Sequence, residues 1–403
     1  MSTPPASIDA ARDAVLAAAA PLTAEPVAVG RALDRVLAQE LVAAANVPRF
    51  VNSAMDGFAV RAGASSGPLR IIGEARAGAP AVLAGPLGPG EAVRVSTGAP
   101  LPDGADAVVR LEDAREADGA VTLAVDVAPG RDVRRPGEDL RAGETVLRAG
   151  TRLGPAELAV AIAAGAGELR CARRPRVALV GTGDELRPPG AALGPGEIHE
   201  SNLTVLRALA TRAGAEAVLE RSVPDDPAAT RAALAEALDA ADVVVASGGV
   251  SVGPHDHVKD ALAALGVEQR LWRVDLQPGK PTWFGARGAQ LAFGLPGNPV
   301  SSFVTFTLFV RPALLALQGA PPLPERAAAT LTEAVPRRGR EQALRVRLSY
   351  GADGLRATPT GPQGSQVTRS LLGADGLAFV PAGAGSLAAG ERVAVEPLNR
   401  DLR

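Results

Sequence analysis

The run Val243-Val244-Val245, passing directly through Ser247-Gly248-Gly249 and Ser251 to Gly253, Pro254 and Asp256, constrains the fold more than any other stretch of this chain. Three consecutive β-branched apolar residues make the short continuous run of a strand covered on both faces. The glycines that follow let the backbone turn at positive φ and bring N–H groups close to an anion. Pro254 suits a first helical turn, whose dipole would add to an anion site. An ordinary strand-to-helix turn reads the same way, so the neighbouring segments must decide between the two.

They alternate. A strand over Val177–Val180, a helix over about Ser201–Ala213, a helix over about Pro227–Ala240 and then the valine strand predict βαβ crossovers and a mostly parallel sheet. Asp226 before Pro227, and Asn298 before Pro299, are N-cap and first-turn pairs, the second opening a helix over Val300–Leu317. Upstream, Ile8–Ala20 reads as an Ala-rich helix and Val29–Leu41 as a second amphipathic element with Leu33, Val36 and Leu37 on one side. Between Asn52 and Asp139, β-like runs at 58–61, 69–72, 92–95, 107–111 and 121–127 are separated by Gly, Pro and Asp clusters. Pro155–Ala164 looks helical, with Gly165 as its stop. After Pro321 strands return, 344–350 and 355–358 forming a hairpin around Gly351-Ala352-Asp353-Gly354.

Composition removes several function classes. With 403 residues the chain folds as two to four domains, and a formal charge of −2 without a basic stripe gives no basis for nucleic-acid or anionic-membrane binding. Cys171, the sole cysteine, excludes an internal disulfide and reads as a small buried apolar residue. The stretch 303–317 is cut by Arg311 and Pro312 and is shorter than the roughly 20 residues a bilayer needs, so it reads as a core helix. Met1–Ala11 lacks the basic start and apolar run of a signal peptide; the expected location is the cytoplasm.

Chemistry concentrates at the strand ends. Gly181-Thr182-Gly183-Asp184-Glu185-Leu186 places two glycines, a hydroxyl and two carboxylates at the C-terminal edge of the first parallel strand, where open sheets bind ligands. The segment has neither a third dinucleotide-motif glycine nor a P-loop Gly-Lys-Ser/Thr. Asp184 and Glu185 suit Mg²⁺ beside a phosphate, or a helix-capping pair, and Asp256 is a further ligand or orienting acid. His255 and His257 do not share a helix face, which argues against zinc. Lys280, held between prolines in Asp275-Leu276-Gln277-Pro278-Gly279-Lys280-Pro281, is a point charge for an oxyanion or a solvated loop lysine. Leu295-Pro296-Gly297-Asn298-Pro299 opens another helix at the same edge. Asn52–Gly57 and Ser96–Ala99 are compact polar turns.

Taken in order, NSAMDGFAV, STGAPLPDGADAVV, RRPGED, GTGDEL, ESN, SGGVSVGPHDHVKD, QPGKP and LPGNPVSS closely resemble the MoeA/gephyrin family of molybdopterin molybdenumtransferases. The resemblance implies a multidomain α/β plus β fold. Its parts are an extended helical linker domain (1–45 and 140–172), an inserted β-rich domain (46–139), a Mog-like α/β domain (173–322) and a C-terminal β barrel (323–403). It implies a homodimer that takes molybdate and adenylylated molybdopterin and, with Mg²⁺, releases AMP as the metal is placed on the dithiolene sulfurs. Asp184, Glu185, Asp256 and Asp275 would form the acidic part of the site, the first three as metal ligands. Ser247, Gly248, Gly249, Ser251, Lys280, Pro296, Gly297, Asn298 and Ser370 would hold the pterin nucleotide, and Asp56 and Thr97 would enter the partner subunit's site. The molybdopterin adenylyltransferase and recipient molybdoenzymes are implied partners.

Gln277 stands where many relatives carry lysine, leaving Arg273 as a substitute cation, and Arg369 stands where relatives often carry a serine. The rival readings are an enzyme that only adenylylates molybdopterin, a scaffold that binds a receptor peptide, and a tungstate-handling version of the same enzyme.

Overall fold

The valine strand sits at the centre of a six-stranded sheet. Its neighbours are 176–182 and 290–295, both parallel, with 216–223 parallel at one edge and 283–287 then 268–272 antiparallel at the other. The sheet is therefore mixed. The computed structural model describes residues 4–63, 67–250 and 256–398.

Alternation along the central strands sorts side chains onto two faces, as a period of two requires. Val177, Leu179, Val243 and Val245 pack into one apolar core; Ala178, Val180, Val244 and Ala246 pack into the other. Helix α1 (Ile8–Leu16) joins the first core through Ile8, Ala11 and Val15. Helix α2 (Pro155–Ala163) lies elsewhere and buries Ala161 alone among its residues, leaving Val160 and Ile162 exposed. Helix α3 (Asn202–Arg212) covers the first face, while α4 (Pro227–Ala240) and α5 (Val258–Ala264) cover the second. Asp226 caps α4 as expected, its Oδ1 accepting the Ala229 N–H at 2.7 Å.

Helix α6 (Pro299–Thr305) runs through a π-helical turn, Phe306–Val310, into α7 (Arg311–Leu317). Pro312 cannot donate a backbone hydrogen bond, and the turn preceding it widens. These 19 residues are long and apolar enough to cross a membrane, yet most of their length is buried inside the protein. The core-helix expectation holds.

Two expectations about the N-terminal third need correction. Val29–Leu41 is not one amphipathic element: Val29–Arg31 is a single 3₁₀ turn, and Asp34 takes φ +63°. Val36 and Leu37 then pair in extended conformation with Arg152 and Cys171, both burying their side chains, while Leu33 stays 50% exposed. The linker expected to be helical is built largely from two-stranded ribbons, 24–28 with 168–172 and 41–42 with 145–147; of its two α-helices among the described residues, α1 packs into the α/β core and α2 stays with the ribbons. Cys171 lies buried in this ribbon core, where burial pushes its thiol pKa up.

The region 57–123 forms a second six-stranded sheet. At the C-terminal end, strands 341–351, 354–359, 327–331, 392–397 and 376–380 pair in sequence and close on themselves into a five-stranded barrel. Gly351 and Gly354 face each other across the two-residue turn Ala352-Asp353, so the hairpin forms as expected. Leu276–Gln277 adds to this barrel in parallel alongside Glu341–Gln342, which fastens the QPGKP turn of the α/β region to the barrel wall.

Candidate active site

At the C-terminal edge of the parallel strands lies a cleft of about 400 Å³. Thr182, Gly183 and Glu185 form one wall, Gly248, Gly249 and Val250 the floor, and Pro296, Gly297 and Asn298 the opposite wall, with Asp225, Asp256 and Pro281 completing it. Three strand ends thus converge as the sheet topology requires.

The floor depends on glycine. Gly248 has φ +91° and Gly249 φ +64°, and a Cβ at the first would stand 2.7 Å from the Thr182 carbonyl oxygen. The Gly248 N–H is spent on the Leu295 carbonyl at 3.1 Å, so it is not a donor to the cleft. Ser247, 3% exposed, does not line the cleft; its Oγ accepts from Asn202 Nδ2 at 2.9 Å. The same Asn202 amide donates to the Gly297 carbonyl at 2.7 Å, tying floor to wall. Asn202 belongs to the ESN segment, but nothing in its spacing marks it as this strut. Asn202→Ala is expected to lower the stability of the fold by about 1–2 kcal/mol. The urea midpoint followed by fluorescence of Trp272 and Trp283, the chain's two tryptophans, checks this; an unchanged midpoint refutes it.

Asn298 sits at the N-cap position of α6 without capping it. Its Nδ2 donates to Ser365 Oγ at 3.1 Å instead, and the Ser365 carbonyl accepts the Val300 N–H at 3.2 Å. A barrel loop therefore supplies the cap expected of the asparagine. Ser370, 1% exposed, lies behind that loop: its hydroxyl donates to the Val367 carbonyl and accepts from Arg345 Nε at 3.1 Å. Arg345 is fully buried, which lowers its pKa to about 10. Arg369 is exposed, the solvent-facing alternative.

The carboxylates assort differently from the expected trio. Glu185 and Asp256 line the cleft, but Asp184 does not; its Oδ1 accepts the Asp225 N–H at 3.1 Å and it borders an adjoining hollow of about 350 Å³. Asp225 takes its place in the wall. Sequence reading passed over Asp225 because Asp226, next to it, carried the evident capping signal. No group of three His, Cys, Asp or Glu side chains among the described residues is assembled to hold a metal. Hard carboxylate oxygens on one cleft nevertheless fit Mg²⁺, which takes one or two protein carboxylates and completes its shell with substrate phosphates and water.

Thr182 Oγ1 in the same wall is buried without a hydrogen-bond partner, a state that costs about 1–3 kcal/mol in an empty site. Glu200, behind α3, accepts the Leu203 N–H at 2.9 Å, and burial raises its pKa despite that bond.

The remaining expected residues lie outside the cleft wall. Asp275 stands 3.8 Å from Arg340, and Lys280 is represented in the wall only by its neighbour Pro281. Asp56 and Thr97 do meet each other, Asp56 Oδ1 accepting the Thr97 N–H at 2.6 Å and hydroxyl at 3.1 Å, but on the inserted sheet. Helix α5 begins at Val258; Ser251, Gly253, Pro254 and His255, and with them the expected helix start at Pro254, lie outside the described residues. A cation unforeseen in sequence, Lys259, flanks Asp256: its Nζ is 3.9 Å from the Trp272 ring centroid, with the guanidinium of the expected substitute cation Arg273 5.2 Å from it. Burial lowers the Lys259 pKa, and the charges of Asp256 and Asp260 oppose that shift.

Three family models match the chain in order: the MoeA N-terminal region (domains I and II) over residues 6–165, a probable molybdopterin binding domain over 178–316, and the MoeA C-terminal region (domain IV) over 328–398. Molybdopterin molybdenumtransferase 2 of Mycobacterium tuberculosis is 38% identical over 376 residues, covering 89% of this chain and 91% of that protein. The molybdopterin molybdenumtransferase of Haemophilus influenzae is 34% identical over 391 residues, covering 95% and 96%. The crystal structure of the molybdopterin biosynthesis MoeA protein of Pyrococcus horikoshii superposes with a TM-score of 0.82 at 32% identity, covering 98% of this chain and all of that one. With matched regions spanning the linker, the cleft and the barrel, the chain belongs to the MoeA family of molybdopterin molybdenumtransferases.

Proposed function

We propose that this transferase uses adenylylated molybdopterin and molybdate, and that the adenylate is cleaved to release AMP as molybdenum is placed on the dithiolene sulfurs of the pterin. The observation that carries the reading is the meeting of a Gly248-Gly249 floor with three carboxylates, Glu185, Asp225 and Asp256, in one cleft. The glycines admit a phosphate against the backbone. Glu185 and Asp256 would hold Mg²⁺, which when bound neutralises charge on the phosphoanhydride. Asn298 and Pro296 would flank the nucleotide, and Lys259 with Arg273 would balance the acidic wall, taking over from the lysine absent at Gln277. Buried Cys171 cannot serve as a metal ligand, so the sulfurs come from the substrate.

A homodimer is part of the proposal. Asp56 and Thr97 do not line the cleft of their own chain, and α2 presents Val160 and Ile162, 36% and 58% exposed, as an apolar contact surface. Asp56→Ala and Asp256→Ala proteins, each inactive alone, are expected to recover activity when mixed and allowed to exchange subunits. Exchange without recovery would rule out a site shared between chains. We place the enzyme in the cytoplasm, receiving its substrate from the molybdopterin adenylyltransferase and passing the product to recipient molybdoenzymes.

The direct test is to incubate the purified protein with adenylylated molybdopterin, Mg²⁺ and either molybdate or tungstate, then measure AMP and metal-loaded cofactor. Turnover with molybdate supports the reading. Binding without AMP release would favour the scaffold.

A further inference from the structure

Thr182 ends the strand 176–182 and is 8% exposed. Five side-chain polar atoms among the described residues are buried without a hydrogen-bond partner: Arg35 Nε, Asn52 Oδ1, Thr182 Oγ1, Thr230 Oγ1 and Ser302 Oγ. Of these, Thr182 alone belongs to a residue of the cleft wall.

The hydroxyl is directed at the glycine floor. A Cβ built at either Gly248 or Gly249 would come within 2.9 Å of Thr182 Oγ1. A side chain at either position would crowd the hydroxyl, so two consecutive glycines leave room beside it. A buried hydroxyl normally has a partner, and one that lacks a partner yet belongs to the wall of a cleft is matched to a group that arrives from outside. The carboxylates of that cleft are acceptors and compete for cations, whereas a neutral hydroxyl can donate to an anionic oxygen without adding charge.

We infer that Thr182 is a ligand-binding residue whose Oγ1 donates a hydrogen bond to a phosphate oxygen seated on the Gly248-Gly249 turn. The inference rests on the pterin-nucleotide reading of the cleft and adds to it the group that fixes the phosphate. No covalent step is assigned to the residue. Its contribution is to binding and alignment, and it is separable from the acidic residues by substitution.

The test uses the full-length protein and three forms: wild type, Thr182→Val, which exchanges the hydroxyl for a methyl of the same shape, and Thr182→Ser, which keeps it. Dissociation constants are measured by calorimetry for AMP and, separately, for molybdopterin that has not been adenylylated. Loss of a charge-assisted hydrogen bond is expected to weaken binding in Thr182→Val by about tenfold or more, with Thr182→Ser within about threefold of wild type. A loss confined to AMP identifies the adenylate phosphate as the partner; a loss confined to molybdopterin identifies the pterin phosphate. Without ligand, Thr182→Val is expected to melt at or above the wild-type temperature, because the unpartnered hydroxyl has been removed. Unchanged affinity for both ligands overturns the assignment. So does a variant that loses stability and affinity together, since the hydroxyl would then be structural. Wild-type protein that binds neither ligand would instead overturn the underlying reading of the cleft.

Discussion

Asp256→Asn is expected to lower molybdate-dependent AMP release by about a hundredfold or more, while adenylylated molybdopterin still binds within a few-fold of wild type. Asparagine preserves the volume of the side chain and removes its charge. That charge shares the cleft lining with Glu185 and Asp225 and lies three residues before Lys259, the cation resting on Trp272. A carboxylate that holds a metal or aligns a phosphoanhydride acts most strongly where charge develops, and such electrostatic terms reach several kcal/mol. Each 1.36 kcal/mol is tenfold in rate, which sets the expected size. Ground-state binding is spread over the glycine floor and the Pro296–Asn298 wall, so it is largely retained. Single-turnover AMP release and equilibrium binding, measured on one preparation, separate the two effects. Wild-type rates in the variant would remove Asp256 from the chemistry.

Arg12→Ala is expected to cost about 3–5 kcal/mol of stability, the range for breaking a buried ion pair from one side. Arg12 is 3% exposed and Glu396 4%; the two form a double hydrogen bond with both N···O distances 2.6 Å, and Arg12 Nε donates to the Leu308 carbonyl at 3.0 Å. Truncation leaves Glu396 with Arg326 alone, at 2.9 Å, and Arg326 also serves Asp9. Urea unfolding followed by tryptophan fluorescence reads the effect in the α/β region, since both tryptophans are there. A midpoint equal to wild type would mean that the pair is energetically neutral.

The same pair carries a pH signature. Burial alone would raise the Glu396 pKa, but Arg12 and then Arg326 outweigh it and hold the carboxyl below its ordinary value of 4.5. A depressed folded-state pKa gives stability that is present above the unfolded value and lost as pH falls through the folded one. The gap between wild type and Arg12→Ala should therefore be widest above pH 4.5 and close on further acidification. Glu200, whose pKa burial raises, acts in the opposite sense and is common to both proteins. Glu341, also raised by burial, loses the opposing charge of Arg12 in the variant and so adds to the same gap.

The parts of the fold legible in sequence are those where one local signal has one structural outcome. Asp226-Pro227 admits little besides a helix start, and three valines running into two glycines admit little besides a strand end. Val29–Leu41 failed because Leu33, Val36 and Leu37 carry helical spacing, while the backbone partners that hold Val36 and Leu37 extended come from Arg152 and Cys171. Asn298 failed for a related reason: its alternative partner, Ser365, is 67 residues away and on another domain. In the cleft, motif residues Glu185, Gly248, Gly249, Asp256, Pro296, Gly297 and Asn298 do converge. Thr182 was legible as the hydroxyl of its strand-end motif but not as an unpartnered one, and Asp225 and the strut role of Asn202 became visible only when strand ends were set side by side, since their contacts are non-local.

Helix α1 leaves the ribosome well before the partners of its buried arginine, which lie 296 and 384 residues further along. At elongation rates of roughly 5–20 residues per second, that separation corresponds to roughly 20–80 s during which Ile8, Ala11 and Val15 have no completed core to enter. The linker ribbons and the inserted sheet can form in that interval from their own contacts. The α/β core cannot be finished until the barrel strand 392–397 is synthesised, so a nascent chain stalled before that strand would present an apolar helix and an unpaired arginine to chaperones and proteases.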